Sequence, residues 1–269
     1  MNFDSEMPVA IDHQVGEWNR FYTTGTLTDW ELLPPTDLSE TLAELLAIDN
    51  SLESAIEVGC GRGLRILTAL LCFDALNNPA FHFVGVDHSP QAIHMAQAFA
   101  RCLRSGERLL QPFDRFIRTA VKSGEIALRA RVEFVRADLF SWLSAMDRPV
   151  DLVLDWMCLH EIHPDERQQY VKLVAKNCRK YFVLNTFSSE GSTVADLGNV
   201  GSHIRKYQLS TVELERLFGG EFEMIYCRLV PEDLAPPQKP SDGIVAAKSI
   251  HIMKPPASSY LSSQVFHLG

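Results

Sequence analysis

The segment Ala55-Ile56-Glu57-Val58-Gly59-Cys60-Gly61-Arg62-Gly63 decides the fold of this chain. An apolar strand runs into three glycines at alternate positions, and a helix is expected from Leu64 onward. Glycine lets the backbone turn sharply and leaves main-chain N–H groups open to a ligand, because no Cβ stands in the way. A tight turn without a ligand needs one glycine rather than three. The pattern therefore predicts a ligand-binding turn between a strand and a helix.

Two common nucleotide-binding turns do not match this segment. The dinucleotide pattern G-x-G-x-x-G requires its third glycine at the position that Leu64 occupies in this chain. The P-loop is also excluded, because no G-K-[ST] triplet follows the glycines. The turn is therefore expected to bind a ligand other than a dinucleotide or a nucleoside triphosphate.

Short β-branched runs alternate with longer helical stretches, which favours a parallel sheet with crossover helices. The predicted strands are Ala55–Val58, Phe81–Val86, Val132–Val135, Val150–Leu154, Tyr181–Asn185, Phe222–Leu229 and Gly243–Met253. The predicted helices are Thr36–Leu46, Gly63–Phe73, Pro90–Leu103, Phe113–Lys122, Leu139–Ala145, Pro164–Cys178 and Thr211–Phe218. We expect an α/β fold with a Rossmann-like, doubly wound sheet of seven mostly parallel strands. Its last strand is antiparallel, and helices cover both faces.

The chain divides into three parts in this prediction. Residues 1–52 precede the first strand and form an N-terminal lid or cap, with one amphipathic helix. Residues 53–256 form the main domain, in which residues 104–130 are a helical insertion. Residues 257–269 are expected to be a loosely ordered tail.

Composition excludes several classes of protein. The 269 residues carry a net charge of −9, whereas binding to a nucleic-acid backbone needs an excess of positive charge. No apolar run reaches the roughly 18–20 residues of a membrane span, and the N-terminus lacks the features of a secretory signal. The six cysteines form no C-x-x-C pair and are expected to be reduced packing residues. We expect a cytoplasmic protein with neither a nucleic-acid nor a membrane partner, and either a monomer or a dimer.

The pattern E-x-G-x-G-x-G, formed by Glu57, Gly59, Gly61 and Gly63, resembles the first motif of class I S-adenosylmethionine-dependent methyltransferases. The resemblance implies that S-adenosylmethionine is the cofactor and S-adenosylhomocysteine the product. Cys60 lies within the same turn and is counted among the cofactor-binding residues.

Acidic residues follow the second and third predicted strands. Asp87 ends the second strand, where a carboxylate can accept hydrogen bonds from both ribose hydroxyls, and His88 comes directly after it. The resemblance implies that Asp138 accepts from the adenine amino group and that the N–H of Leu139 meets the adenine ring. Capping of the following helix is the alternative role for each aspartate.

The flanks are similar to thiopurine and thiol methyltransferases. The segment Trp18–Gly25, followed by Trp30, is similar to their W-x-x-x-W-x-x-G-x-x-x-W opening, with Tyr22 at the second tryptophan position. The segment His163–Tyr170 is similar to their P-x-x-R-x-x-Y pattern, while Asp155-Trp156-Met157 stands where they have D-R-G. This resemblance implies a small-molecule acceptor, with a thiol sulfur as the methylated atom.

The end of the fourth strand is the predicted catalytic region. Ligands of doubly wound sheets gather at the carboxyl ends of the strands, near the switch point between strands one and four. Asp155, Trp156 and His160 are therefore the candidate catalytic residues, and Asp155 also counts as cofactor-binding. Trp18, Tyr22, Trp30 and Trp156 are expected to surround the transferred methyl group, whereas simple anchoring of the N-terminal segment is the alternative.

The chemistry of the acceptor leaves further alternatives open. A thiolate is already a good nucleophile, so a thiol needs positioning rather than a base. An oxygen or nitrogen acceptor would use His160 as the base, oriented by Glu161 or Asp155. A hydrogen-bonded structural histidine is the alternative reading of His160, and its spacing to His163 does not match a zinc protease, so no metal is predicted.

Two alternatives concern the substrate side and the class of protein. Arg205, with His203 and Lys206, either holds an anionic group of the substrate or belongs to a solvated basic patch. Outside enzymes, the chain could be a catalytically silent module that binds the nucleoside and a protein partner.

Overall fold

The computed structural model describes residues 18–23, 36–73, 75–109, 111, 113–121, 126–188, 209–230 and 247–256. The strands are β1 Ser54–Val58, β2 His82–Asp87, β3 Arg131–Arg136, β4 Val150–Trp156, β5 Cys178–Ser188, β6 Glu223–Val230 and β7 Ala247–Lys254. The helices are α1 Thr36–Ile48, α2 Leu64–Cys72, α3 Pro90–Ser105, α4 Phe113–Ala120, α5 Leu139–Ala145, α6 Arg167–Asn177 and α7 Thr211–Phe218. Residues 18–23 are also helical.

The strands form one sheet in the order β3-β2-β1-β4-β5-β7-β6. All pairs from β3 to β5 are parallel, while β7 is antiparallel to both of its neighbours. The strand order reverses between β1 and β4, which is the switch point where ligands of such sheets bind. The predicted fold class is therefore confirmed, including the antiparallel last strand.

Helices cover both faces of the sheet within the described residues. One apolar core joins α1, α2, α3 and α4 to the sheet and includes Leu42, Leu67 and Phe134. The second core joins α5, α6 and α7 to the opposite face and includes Val153, Tyr170 and Phe218. Since register-paired residues of adjacent strands point to the same face, Glu57, Trp156 and Asn185 share the face of the first core.

The helix predicted over Pro164–Cys178 is the one whose start differs most from the prediction. Pro164 to Glu166 form a 3₁₀ turn, and α6 begins only at Arg167. The helix ends at Asn177 because Cys178 is already extended and starts β5, which makes this strand longer than predicted. No loop separates α6 from β5, so the local pattern gives no sign of the boundary.

Several predicted features lie outside the described residues. They are the predicted tail 257–269, Trp30 and Arg205. No helix among the described residues is both long enough and apolar enough to cross a membrane.

Candidate active site

The glycine turn has the backbone conformation that only glycine adopts readily. Gly59, Gly61 and Gly63 have φ angles of 65°, 53° and 64°, all in the left-handed region. The N–H of Cys60 donates to the carbonyl of Val86 at 3.0 Å, which ties the turn to the tip of β2. The turn then leads directly into α2. The predicted sharp turn after β1 is confirmed.

Side chains from three parts of the chain lie against this turn. A Cβ on Gly59 would stand 2.8 Å from Cys158 Sγ, and one on Gly61 would stand 2.7 Å from the Tyr22 hydroxyl. A Cβ on Gly63 would meet the Phe134 ring at 2.6 Å. The second and third glycines are buried, so a side chain at either position would displace a neighbour that packs there.

Asp87 holds the turn from the neighbouring strand. Its Oδ2 accepts a hydrogen bond from the N–H of Gly61 at 2.9 Å, and its Oδ1 accepts from the N–H of Ser89 at 2.8 Å. Ser89 caps α3 by accepting from the N–H of Ala92, and a proline follows it at the first helical position. His88 is partly buried, and its Nε2 has no hydrogen-bond partner among the described residues.

Asp138 caps the helix after β3. Its Oδ1 accepts from the N–H of Ser141 at 2.8 Å, at the first turn of α5. Asp138 and Leu139 are both partly buried at the carboxyl end of the sheet. The alternative role predicted for Asp138, capping of the following helix, is therefore present.

The N-terminal helical segment lies on the glycine turn. Trp18 and Tyr22 stack with ring centroids 5.8 Å apart. The buried Arg62 guanidinium stands 5.0 Å from the centroid of the Tyr22 ring and donates to the Tyr22 carbonyl at 3.3 Å. Asn19 Oδ1 accepts from the Ser89 hydroxyl at 2.8 Å. Arg62, which was not singled out from sequence, anchors this segment.

Asp155 at the end of β4 is fully buried and already has three donors. Tyr170 donates its hydroxyl to Oδ2 at 2.6 Å, while the N–H groups of Cys158 and Leu159 donate to Oδ1 at 2.7 and 3.2 Å. Burial raises the pKa of Asp155 to about 6, against the lowering effect of these hydrogen bonds. These contacts favour a structural role in the loop after β4 over the predicted catalytic and cofactor-binding roles.

The loop after β4 starts with a strained residue. Met157 has a φ of 76°, the one left-handed non-glycine residue among the described residues. Its N–H donates to the carbonyl of Asn185 at 2.9 Å, which holds this conformation. Such strain is often found beside functional sites. The preceding residue, Trp156, is buried against the first core.

His160 lies buried next to Glu161. Its Nε2 stands 3.1 Å from Glu161 Oε1. Of the two predicted orienting groups, Glu161 is in contact with His160, while both Asp155 oxygens accept from other donors. Within the described residues no group of three or more ligand-type side chains could hold a metal ion.

Glu57 is buried under the glycine turn. Burial raises its pKa to about 8, with Arg65 acting in the opposite direction. Its Oε2 has no hydrogen-bond partner among the described residues. This carboxyl group is therefore mostly protonated at neutral pH and can donate a hydrogen bond.

Comparison with known proteins places the fold. No protein-family model and no curated protein matches the chain. The magnesium protoporphyrin IX methyltransferase of Synechocystis, solved with S-adenosylhomocysteine, is 15% identical and has a TM-score of 0.53, covering 91% of this chain and 94% of its own. The Burkholderia thailandensis 1,6-didemethyltoxoflavin-N1-methyltransferase, solved with 1,6-didemethyltoxoflavin and S-adenosylhomocysteine, is 19% identical with a TM-score of 0.53. That match covers 94% of this chain and 92% of the other.

A third solved structure, DhpI in complex with S-adenosylhomocysteine, is 16% identical and has a TM-score of 0.54. The match covers 92% of this chain and 97% of the other. The chain thus has the Rossmann-like fold of S-adenosylmethionine-dependent methyltransferases.

Proposed function

We propose that this chain is an S-adenosylmethionine-dependent methyltransferase that acts on a small molecule. The observation that carries the proposal is the turn after β1. Its three left-handed glycines are linked to Asp87 through the N–H of Gly61 at 2.9 Å, at the switch point of the sheet. The same fold in proteins solved with S-adenosylhomocysteine supports this reading.

The residues around the turn fit this cofactor. A Cβ at Gly61 would crowd the glycine turn. Glu57 Oε2 and His88 Nε2 are buried polar atoms with no partner among the described residues. Glu57, Gly59, Cys60, Gly61 and Gly63 would hold the amino-acid end of the cofactor and the ribose. When bound, the sulfonium group supplies an electrophilic methyl group.

The aspartates at the strand tips bind the nucleoside in this proposal. Asp87 is only partly buried, and its carboxylate would accept from the ribose hydroxyls beside its contact with Gly61. Asp138 would keep its helix cap and accept from the adenine amino group, with the N–H of Leu139 and the side chain of His88 at the edges of the base.

The N-terminal aromatic residues exclude water from the acceptor. Trp18 stacks on Tyr22, which lies over Arg62 and against the glycine turn, and Trp156 stands at the tip of β4. We propose Trp30 as a cofactor-binding residue and Arg205 as a substrate-binding residue. A dry site favours methyl transfer to the bound acceptor over reaction with water.

A thiol sulfur is the acceptor that we favour. A small fraction of a thiol is ionised at neutral pH, and a positioned thiolate requires no base. An oxygen or nitrogen acceptor is the second candidate, because the buried His160 stands 3.1 Å from Glu161 and this pair has the arrangement of a base with its orienting carboxylate.

A screen with isotopically labelled S-adenosylmethionine tests this proposal. Small thiols, phenols and amines are offered as acceptors, and the methylated atom is identified in each product. We expect transfer to sulfur in the wild type and in His160→Ala, and no transfer in Gly61→Arg. Complete loss of turnover in His160→Ala on every accepted substrate would favour the oxygen or nitrogen acceptor. Absence of transfer to any acceptor would contradict the enzymatic proposal.

A further inference from the structure

Three buried polar side chains near the carboxyl ends of β1, β4 and β5 have atoms without a hydrogen-bond partner in the described part of the chain. Glu57, Trp156 and Asn185 are 4%, 6% and 0% exposed. Glu57 Oε2, Trp156 Nε1 and both amide atoms of Asn185 have no partner among the described residues. We call these three residues the open polar cluster.

The strand register brings the cluster to one face of the sheet. Trp156 of β4 lies directly opposite Asn185 of β5, and the two strands are parallel. Glu57 of β1 lies opposite Leu154, two residues before Trp156. All three therefore lie near the carboxyl end of the sheet and point to the face of the first core.

The other buried asparagines show that this chain normally pairs such groups. Asn77 donates to the carbonyl of Ala127 and accepts from the N–H groups of Arg129 and Ala130. Asn177 donates to the carbonyls of Leu143 and Leu173. Asn185 is at least as deeply buried as both, yet neither of its amide atoms forms a hydrogen bond to any residue that the structure describes.

An unpaired buried polar group destabilises the folded state, so a fold retains it at low cost where a ligand or an ordered water completes its hydrogen bonds. Asn185 carries one carbonyl acceptor and two N–H donors in a plane, and the Trp156 indole N–H is a donor only. Neither side chain is charged. The groups that match them are a carbonyl or ring nitrogen beside an N–H or O–H, on an uncharged molecule.

We infer that Trp156 and Asn185 determine acceptor specificity by hydrogen-bonding an uncharged, amide-like or lactam-like group of the methyl acceptor. The carbonyl of that group accepts from Trp156 and from the Asn185 amide nitrogen. The N–H or O–H of that group donates to the side-chain carbonyl of Asn185. This inference rests on the proposed function, since it names the substrate class of the same site. Asn185 was not among the candidates from sequence.

Two small matched probes test this inference on the protein loaded with S-adenosylhomocysteine. 2-Pyridone has a carbonyl beside an N–H, and N-methyl-2-pyridone lacks the N–H but is equally uncharged. The readout is the NMR signal of the Trp156 indole N–H, assigned by its absence in Trp156→Phe. We expect 2-pyridone to shift this signal and to bind about tenfold or more tightly than N-methyl-2-pyridone.

Asn185→Leu should reduce the difference in affinity between the two probes to less than about threefold, because the side-chain carbonyl that accepts from the N–H of 2-pyridone is lost. Its affinity for S-adenosylhomocysteine should equal that of the wild type. Equal binding of both probes to the wild type, or no binding of 2-pyridone, overturns the inference. If S-adenosylhomocysteine itself does not bind to the wild type, the proposed function fails as well, so the two failures are distinguishable.

Thermal unfolding gives an independent test. Asn185→Leu should keep the Tm unchanged or raise it by about 2–4 °C, because an apolar side chain removes an unpaired buried amide. Asn177→Leu is the matched control and should lower the Tm, since it removes both hydrogen bonds of a buried amide and leaves the Leu143 carbonyl without this donor. A fall in Tm for Asn185→Leu as large as that of the control would contradict a ligand-binding role.

Discussion

The two faces of the sheet at the tip of β4 differ in how their polar groups are paired. On one face Asp155 accepts from Tyr170 and from the N–H groups of Cys158 and Leu159, at 2.6 to 3.2 Å. On the other face the neighbouring residue, Trp156, lies opposite Asn185, and neither the indole N–H nor the Asn185 side-chain amide has a partner among the described residues. Both regions are buried, so exposure to water does not explain the difference.

This difference separates structural from ligand-binding polar groups. A completely bonded buried carboxyl group stabilises one loop conformation, and removal of any member leaves another group unpaired. An incompletely bonded cluster contributes nothing to stability by itself, and substitution by apolar residues should cost little. Measurements of the free energy of unfolding for variants on the two faces therefore test this distinction.

Asp155→Ala should give the largest loss of stability. The substitution leaves the Tyr170 hydroxyl and two backbone N–H groups without an acceptor in a buried place. We expect a decrease in the free energy of unfolding of about 3–5 kcal/mol, measured by urea denaturation.

Asp155→Asn is the matched control for this prediction. The amide oxygen can still accept from the two N–H groups, and the Tyr170 hydroxyl can rotate to accept from the amide nitrogen. The control should therefore lose much less stability than Asp155→Ala. Equal losses in the two variants would show that the charge rather than the hydrogen bonds matters at this position.

Tyr170→Phe should give an intermediate loss. It removes one 2.6 Å hydrogen bond but keeps the buried ring and the two backbone donors to Asp155. We expect a decrease of about 1–2 kcal/mol in the free energy of unfolding at neutral pH. An unchanged free energy of unfolding would show that the hydrogen bond to Asp155 does not stabilise the fold, as is expected only for the open polar cluster.

Glu57→Gln should change how the free energy of unfolding depends on pH and should have little effect on its value at low pH. The folded state raises the Glu57 pKa from 4.5 to about 8, so the native protein binds more protons than the unfolded chain in this range. The Glu57 contribution is therefore full below pH 4.5 and decreases as the pH rises towards 8. Denaturation at several pH values should show the wild type losing stability relative to E57Q between pH 5 and pH 8. A constant difference between the two proteins would contradict a protonated Glu57.

Much of the fold could be predicted because its signals are local. The strand β1 is an apolar run directly followed by Gly59, Gly61 and Gly63, and the three positive φ angles are a property of these residue types. The cap of α3 by Ser89 and a following proline is also local. The start of α6 at Arg167 could not be predicted, since a 3₁₀ turn and an α-helix share the same pattern over Pro164–Glu166.

The candidate site could be predicted only in part. Asp87 and the glycines stand in a recognisable spacing, and the structure brings Asp87 into contact with Gly61. The pairing of Asp155 with Tyr170, and the absence of partners for Asn185, depend on side chains that only the tertiary fold brings together. The strain at Met157 likewise has no sequence signal, because methionine rarely adopts a positive φ.

Calorimetric titration with S-adenosylhomocysteine tests directly whether the turn after β1 is the cofactor site. We predict binding of one molecule per chain in the wild type and loss of binding in Gly61→Arg, whose side chain would fill the turn beneath Tyr22. A wild type that binds no S-adenosylhomocysteine, or a Gly61→Arg variant that binds it with unchanged affinity, would contradict the assignment of this turn as the cofactor site.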